Sequence, residues 1–264
     1  MESIANGQFV FGKCLVEQVK KLRDNKKNNS FLTDFFNLEM THAPECTLST
    51  NPCTKNNGKI PFASVGVVVD KDGNVLMTRR NKNLKSFPSA WVFPGGHVEK
   101  NENFFEGMLR EVYEETGIQV MKNGSNFFYN SMECEVKPIF LYESIYPDCE
   151  HLKYQTFIVF YKVKLPVKNK DVEIKIQFSE VDAYAWINIK SIYEMCFETG
   201  IQREINGFLV NEKSGRIEEN KFTQNSFSSY YNDQKNVVKG IKKEYVPHGH
   251  VTAIKMLYLN YYKV

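Results

Sequence analysis

Three glutamates define the chemistry to look for. Between Gly95 and Val120 the chain reads GGHVEKNENFFEGMLREVYEETGIQV, with Glu111, Glu114 and Glu115 close together in its second half. On a helix advancing about 100° per residue they share an arc of about 100°. Carboxylates crowded in this way repel one another, so a sequence serving only a fold has no reason to choose them. A hard cation reverses the penalty, because Mg²⁺ takes oxygen ligands and is commonly shared between carboxylates and substrate phosphates. The plain alternative is a solvated acidic face. Gly96, Glu102, Arg110 and Gly117 stand at fixed offsets around the glutamates, and that constellation favours metal chemistry.

The local sequence supplies a helix to carry them. Asn103 is a good N-cap and Glu106 stands three residues on, the pattern of a reciprocal capping box. Phe105, Met108, Leu109 and Val112 recur at helical spacing and should face a core. Gly117 is placed to close the helix. Gly107, inside it, costs about 1 kcal/mol of helix stability and leaves one side open.

Stepping outward, Val65 to Val69 is an apolar run suited to a buried strand. Asp70 to Asn74 is hairpin chemistry, and Val75 to Arg79 returns as a second strand. Arg80 to Ser89 is a basic loop leading into Trp91-Val92-Phe93-Pro94. Lys137 to Tyr146, Gln155 to Leu165 and the end of Ser179 to Ile189 read as further strands. Thr252 to Tyr262 reads as a helix laid on the sheet through Ile254, Leu257, Tyr258 and Tyr261. This order predicts an α+β fold with a mixed sheet between helices. The expected division is an N-terminal appendage, 1–60, and a catalytic domain, 61–264. The latter comprises a core at 63–190, an insertion at 191–247 and a closing helix at 251–262. Within the appendage, 13–26 has helical spacing and 41–59 reads as an irregular connector. Phe197 to Lys235, rich in Asn, Ser, Glu and Gly, reads as irregular.

Composition excludes little. The 264 residues are 42% hydrophobic and 25% charged with a net charge of +3, ordinary for a globular protein and neutral about nucleic acid as a partner. No apolar run approaches the roughly 18 residues of a membrane helix, and the first residues lack the order of a signal peptide. The expectation is a cytoplasmic or nuclear protein with reduced cysteines. His42, Cys46 and Cys53 fit no common zinc spacing and lack a fourth ligand.

The 96–118 segment resembles a complete Nudix box, with Gly96, Glu102, Arg110, Glu111, Val112, Glu114, Glu115, Gly117 and Ile118 all in place. The resemblance extends from about Ser64 to Ile189 and implies an α/β/α sandwich. It also implies a hydrolase acting on a nucleoside diphosphate linked to another moiety. Mg²⁺ or Mn²⁺ would be held by Glu111, Glu114, Glu115 and the Gly96 carbonyl. Arg110 would orient the glutamates and Glu102 would support them from outside the ligand set. The general base would be Glu111 or Glu115, or a later glutamate among Glu143, Glu150 and Glu180. Glu143 is foremost of these, at a strand end between Tyr142 and Tyr146. Arg79, Arg80, Lys82 and Lys85 could form a phosphate-contacting rim. Tyr142, Tyr146, Phe87 and Trp91 could stack on a base, although Trp91 and Trp186 read as core.

More narrowly, residues 76–99, YESIYP (142–147) and LKYQTFIVFY (152–161) resemble the branch of animal Nudix hydrolases typed as nucleoside diphosphate-linked moiety X motif 17. That branch implies the m⁷G cap of RNA as substrate. A coenzyme A pyrophosphatase is the alternative, since Leu76, Thr78, Arg80, Phe93, Pro94, Gly95 and Gly96 fit its pattern. Asn81, Lys85 and Ser89 depart from it. A non-catalytic nucleotide-binding module would be expected to lose box glutamates, and a scaffold would work through 1–60 and 197–247.

Overall fold

The computed structural model describes residues 9–24, 35, 37–44, 46–53, 60–146, 152, 154–198, 203–211, 214–228 and 244–262. In chain order the elements begin with helix α1 (Leu15–Asp24) and strands β1 (Glu39–His42), β2 (Phe62–Val69), β3 (Asn74–Arg80), β4 (Trp91–Val92) and β5 (Gly95–His97). Helix α2 (Phe104–Thr116) carries the box and is followed by β6 (Met121–Asn123), β7 (Asn126–Tyr129), β8 (Met132–Tyr146) and β9 (Tyr154–Lys164). Then come β10 (Val181–Asn188), α3 (Ile189–Phe197), β11 (Glu204–Val210), β12 (Ile217–Thr223) and α4 (His248–Tyr262). The fold is α+β with a mixed sheet, as the sequence predicts.

The chain forms two compact units. One comprises Met1–Val65, Gly95–Arg110 and Lys137–Tyr161; the other comprises Gly66–Pro94, Glu111–Val136 and Lys162–Val264. In the first, β1 pairs in parallel with β8, Glu39 opposite Phe140 through His42 opposite Glu143. The start of β2 pairs antiparallel with β5, Ser64 opposite Gly96. Its core is aromatic: the Phe104 ring meets Phe35 and Phe62 edge-on at 5.5 Å each and Phe157 at 6.0 Å. Leu15, Val16 and Val19 of α1 are buried in it. The 41–59 stretch, read from sequence as an irregular connector, opens with the end of a sheet strand.

In the second unit β12, β11, β10 and β3 lie side by side, antiparallel throughout. The stretch read as irregular after Phe197 therefore contains a hairpin. Its strands escaped notice because β12, IEENKFT, buries only Phe222 and shows no run of apolar residues. The turn between β2 and β3 is built on Asp70, whose Oδ1 accepts from Asp72 N and Asn74 N at 2.9 and 2.7 Å. Helix α4 buries Ile254 and Leu257 as expected, and its Tyr258 stacks on Tyr193 of α3 at 3.9 Å.

Candidate active site

The box helix is capped as its sequence dictates. Asn103 Oδ1 accepts from Glu106 N at 2.9 Å, and Glu106 Oε2 accepts from Asn103 N at 3.0 Å, so two otherwise unbonded helix-end donors are satisfied. At the other end Gly117 N donates to Tyr113 O at 2.7 Å with a left-handed φ of 74°. The buried side is Phe104, Met108 and Val112, at most 2% exposed. Phe105 is only half-buried, its ring 6.0 Å from Tyr161. The apolar stripe thus begins one residue earlier than its spacing suggested.

In the first unit, Arg110 closes the box loop. Its Nε donates to Glu102 Oε1 at 2.7 Å, while Nη2 donates to Glu102 Oε2 at 3.2 Å and to the His97 carbonyl at 2.9 Å. Glu102 Oε2 also accepts from Glu99 N at 3.0 Å. The Arg110 hydrogen bonds hold the Glu102 carboxyl below the usual carboxylate range, against a smaller opposing effect of burial. Gly107 explains how Glu102 gets this close. A Cβ there would stand 3.2 Å from Glu102 Oε2, 3.2 Å from Ser64 Oγ and 3.3 Å from Val98 Cγ2. Ser64, opposite Gly96 in the β2–β5 pair, is fully buried and its hydroxyl has no hydrogen-bond partner among the described residues.

In the second unit, the three box glutamates grade from interior to surface. Glu115 is 3% exposed, Glu111 is half-buried and Glu114 is exposed. Helical geometry accounts for this: Glu115 shares its azimuth with the buried Phe104 and Met108, whereas Glu114 lies about 100° away from it. A row of hard oxygen donors reaching from interior to solvent, with one carboxylate almost wholly removed from water, fits a Mg²⁺-like ion. Their carboxylates do not crowd onto one point. Among the described residues, the three metal-binding side-chain types whose ligand atoms lie within 4.8 Å of one another are Cys14, Cys46 and Glu143.

The flanking expectations fare unevenly. Arg79 is held by Asp182 at 2.7 Å and by Glu244, and so is committed inside the second unit rather than offered to a phosphate. Burial opposes its charge, but Asp182 and Glu244 outweigh that and hold its pKa above the usual value. Arg80 is half-buried, with Nε donating to the Ser86 carbonyl at 3.2 Å. Tyr142 is 4% exposed, its ring edge-on to Phe160 at 6.5 Å, and cannot stack on a base in this position. Glu143 requires the same correction. At 1% exposure its Oε1 accepts from Leu15 N and Gln155 Nε2 and its Oε2 from Cys14 Sγ, which leaves no oxygen facing solvent to act as a base. Glu150 and the Tyr146 side chain lie outside the described residues. Glu180 is half-buried beside the Asn81 turn, its carbonyl accepting from Asn81 N at 2.7 Å. Trp91 is core, as read, with Nε1 donating to Glu244 Oε2 at 3.3 Å.

Sequence reasoning missed the part played by 244–250. Trp91 N donates to the Tyr245 carbonyl at 2.8 Å, and Ala90 bridges Tyr245 in parallel. His250 Nδ1 accepts from Phe93 N at 3.0 Å, which requires a neutral ring. Burial, helped by the Arg80 charge, pushes the His250 pKa down to about 3. Arg79, Asp182, Glu244, Asn211 and Glu218, with Leu209 and Val210, also line an open cleft of about 460 Å³.

A model of the NUDIX domain matches residues 61–205. The m7GpppN-mRNA hydrolase NUDT17 of Danio rerio is 34% identical over 198 residues, covering 70% of this chain and 57% of that protein. Its counterpart in Bos taurus is 32% identical over 126 residues, 46% of this chain and 39% of that protein. The chain therefore spans less than two thirds of the length of either. A MutT/nudix family protein of Enterococcus faecalis superposes with a TM-score of 0.43 at 16% identity, covering 78% of this chain and 63% of its own.

Proposed function

The chain belongs to the Nudix family, and from that membership we propose that it is a metal-dependent pyrophosphohydrolase whose substrate is the m⁷G cap of RNA. The observation that carries the catalytic part is the graded row Glu111, Glu114 and Glu115 on one capped helix. These carboxylates would hold Mg²⁺ or Mn²⁺. A divalent ion bound there supplies charge neutralisation for the pyrophosphate and a polarised water. One oxygen–phosphorus bond forms from water and one bridging bond breaks. Glu111 or Glu115 receives the water's proton. Arg110 and Glu102 fix the loop that precedes the helix.

For the substrate, the cap reading draws on the likeness to the Danio and Bos hydrolases and on the 142–147 and 152–161 segments. The coenzyme A pattern has less support. Leu76, Thr78 and Phe93 are 0–1% exposed, and Thr78 Oγ1 bonds the Val92 carbonyl. Those matches serve strand packing and say nothing of a ligand. At Ser89 the backbone keeps a left-handed φ of 61°, which the glycine of that pattern would favour, so there the departure lies in the side chain and not in the backbone. A non-catalytic module would have no use for the intact set of glutamates.

The test is a panel of short capped RNA, coenzyme A, ADP-ribose, NADH, dinucleoside polyphosphates and NTPs with Mg²⁺ or Mn²⁺, products identified by mass. Release of m⁷GDP or m⁷GMP with little coenzyme A cleavage is the expected result. Efficient formation of phosphopantetheine with capped RNA left intact would reverse the ranking.

A further inference from the structure

We propose that Cys14, Cys46 and Glu143 form a buried site for a thiophilic divalent cation of the zinc class, chemically separate from the box glutamates. Their ligand atoms all lie within 4.8 Å of one another, and the residues are 2%, 7% and 1% exposed. A tetrahedral zinc site with metal–sulfur bonds near 2.3 Å requires sulfurs about 3.8 Å apart and sulfur–oxygen separations of about 3.5 Å. Cys14 Sγ and Glu143 Oε2 stand at 3.2 Å, so that pair needs to open only slightly.

The surroundings aim the ligands. Glu143 Oε1 is occupied by Leu15 N at 3.0 Å and Gln155 Nε2 at 2.7 Å, which directs Oε2 to the thiols. Gln155 is itself fixed, accepting from Gly12 N and donating to the Lys13 carbonyl, both at 2.8 Å. Cys46 N donates to Ala43 O at 2.8 Å and Ala43 N to Glu143 O at 3.1 Å, so the loop carrying the second thiol is tied to the strand carrying the carboxylate. Outer hydrogen bonds of this kind orient ligands in metal sites.

Charge accounting favours the exchange. M²⁺ binding to two thiols releases two protons, so two uncharged thiols and one carboxylate become a complex of unchanged net charge. The buried cluster therefore acquires an ion without acquiring charge. Two sulfurs select a thiophilic metal over Mg²⁺, which prefers the all-oxygen set of the box. The fourth position is left to water or a small anion. His42, the last residue of β1, points its Nδ1 to the Ala43 carbonyl at 3.0 Å and is not one of the three. Sequence spacing could not reveal the set, because the ligands come from positions 14, 46 and 143.

Cobalt tests this on the full-length reduced protein, since sulfur-to-cobalt charge transfer reports thiolate ligation in the near ultraviolet and carboxylate-bound cobalt gives no such band. The band should appear on Co²⁺ addition and be displaced by stoichiometric Zn²⁺. It should vanish in Cys46→Ser and survive in Glu115→Gln. Zn²⁺ should also raise Tm in wild type and not in Cys46→Ser; if that variant fails to fold, Cys14→Ser takes its place. Absence of the band, a band that persists in the serine variant, or a Cys14–Cys46 disulfide that displaces metal binding would overturn the proposal.

Discussion

Arg110 grips both oxygens of Glu102, Nε on Oε1 at 2.7 Å and Nη2 on Oε2 at 3.2 Å, while still reaching the His97 carbonyl. One planar guanidinium thus ties the start of the box loop to the helix that follows it. A lysine is a point charge and cannot reproduce the fork. Arg110→Lys should lower kcat by about tenfold and Arg110→Ala by about a hundredfold, corresponding to about 1.4 and 2.7 kcal/mol of lost transition-state alignment. Steady-state rates at saturating Mg²⁺ check this; unchanged kcat in both variants would remove Arg110 from the machinery.

Gly107→Ala tests the same arrangement from the other side. Alanine should improve helix propensity by about 1 kcal/mol. Its Cβ, however, would press on Glu102 Oε2 and Ser64 Oγ at 3.2 Å each. The expected outcome is a Tm close to wild type with reduced turnover. A more stable variant of full activity would show that the close approach of Glu102 is dispensable.

Glu115→Gln removes the carboxylate with the least solvent contact, 3% exposed. Turnover should fall by about 10² to 10³, as for loss of a preorganised electrostatic group in other enzymes, with circular dichroism unchanged. A near-normal rate across a Mg²⁺ titration would mean that the metal is held elsewhere.

Acid should destabilise the protein through His250. The folded state holds its pKa down at about 3 while the unfolded chain titrates near 6.5. Below about 6.5 the unfolded state therefore binds a proton that the folded state refuses. His250 costs nothing above that pH and weakens the fold progressively as pH falls towards 3. His250 as a residue keeps some exposure to solvent, so the slope should be less than about 1.4 kcal/mol per pH unit. Denaturant unfolding at pH 7.0 and 4.5 measures it, in units of ΔG, against His250→Asn, whose amide oxygen can accept from Phe93 N without titrating. A slope unchanged in that variant would assign the acid sensitivity to other groups.

Removing residues 1–24 should cost more than an appendage would. Leu15, Val16 and Val19 are at most 4% exposed, and each large apolar side chain buried contributes about 1.5–3 kcal/mol. Glu143 would also lose the Leu15 N–H and the Cys14 thiol as partners. A marked drop in Tm is expected, and a shortened chain that melts at the full-length temperature would disprove the packing.

These cases show where the sequence was legible. Asn103, Glu106 and Gly117 act on groups within four residues, so the box helix and its ends could be read directly. The burial of Tyr142 and Glu143 is set by Phe160, Gln155 and residues 14–15, and that of Arg79 by Asp182 and Glu244. No local pattern announces such partners. A basic residue at a strand end looks the same whether it awaits a phosphate or two carboxylates. The β11–β12 hairpin was missed for a related reason: pairing with β10 holds it in place, and the side chains of its outer strand, IEENKFT, are largely polar.

The bond from Phe93 N to His250 Nδ1 spans 157 positions in the chain. At translation speeds of about 5–20 residues per second, the amide is made roughly 8–30 s before its acceptor exists. For that interval the turn entering the box lacks one of its fixed points, as does Trp91 N until Tyr245 arrives. A nascent chain stalled before residue 244 should accordingly carry a formed box helix beside an unsettled entry turn.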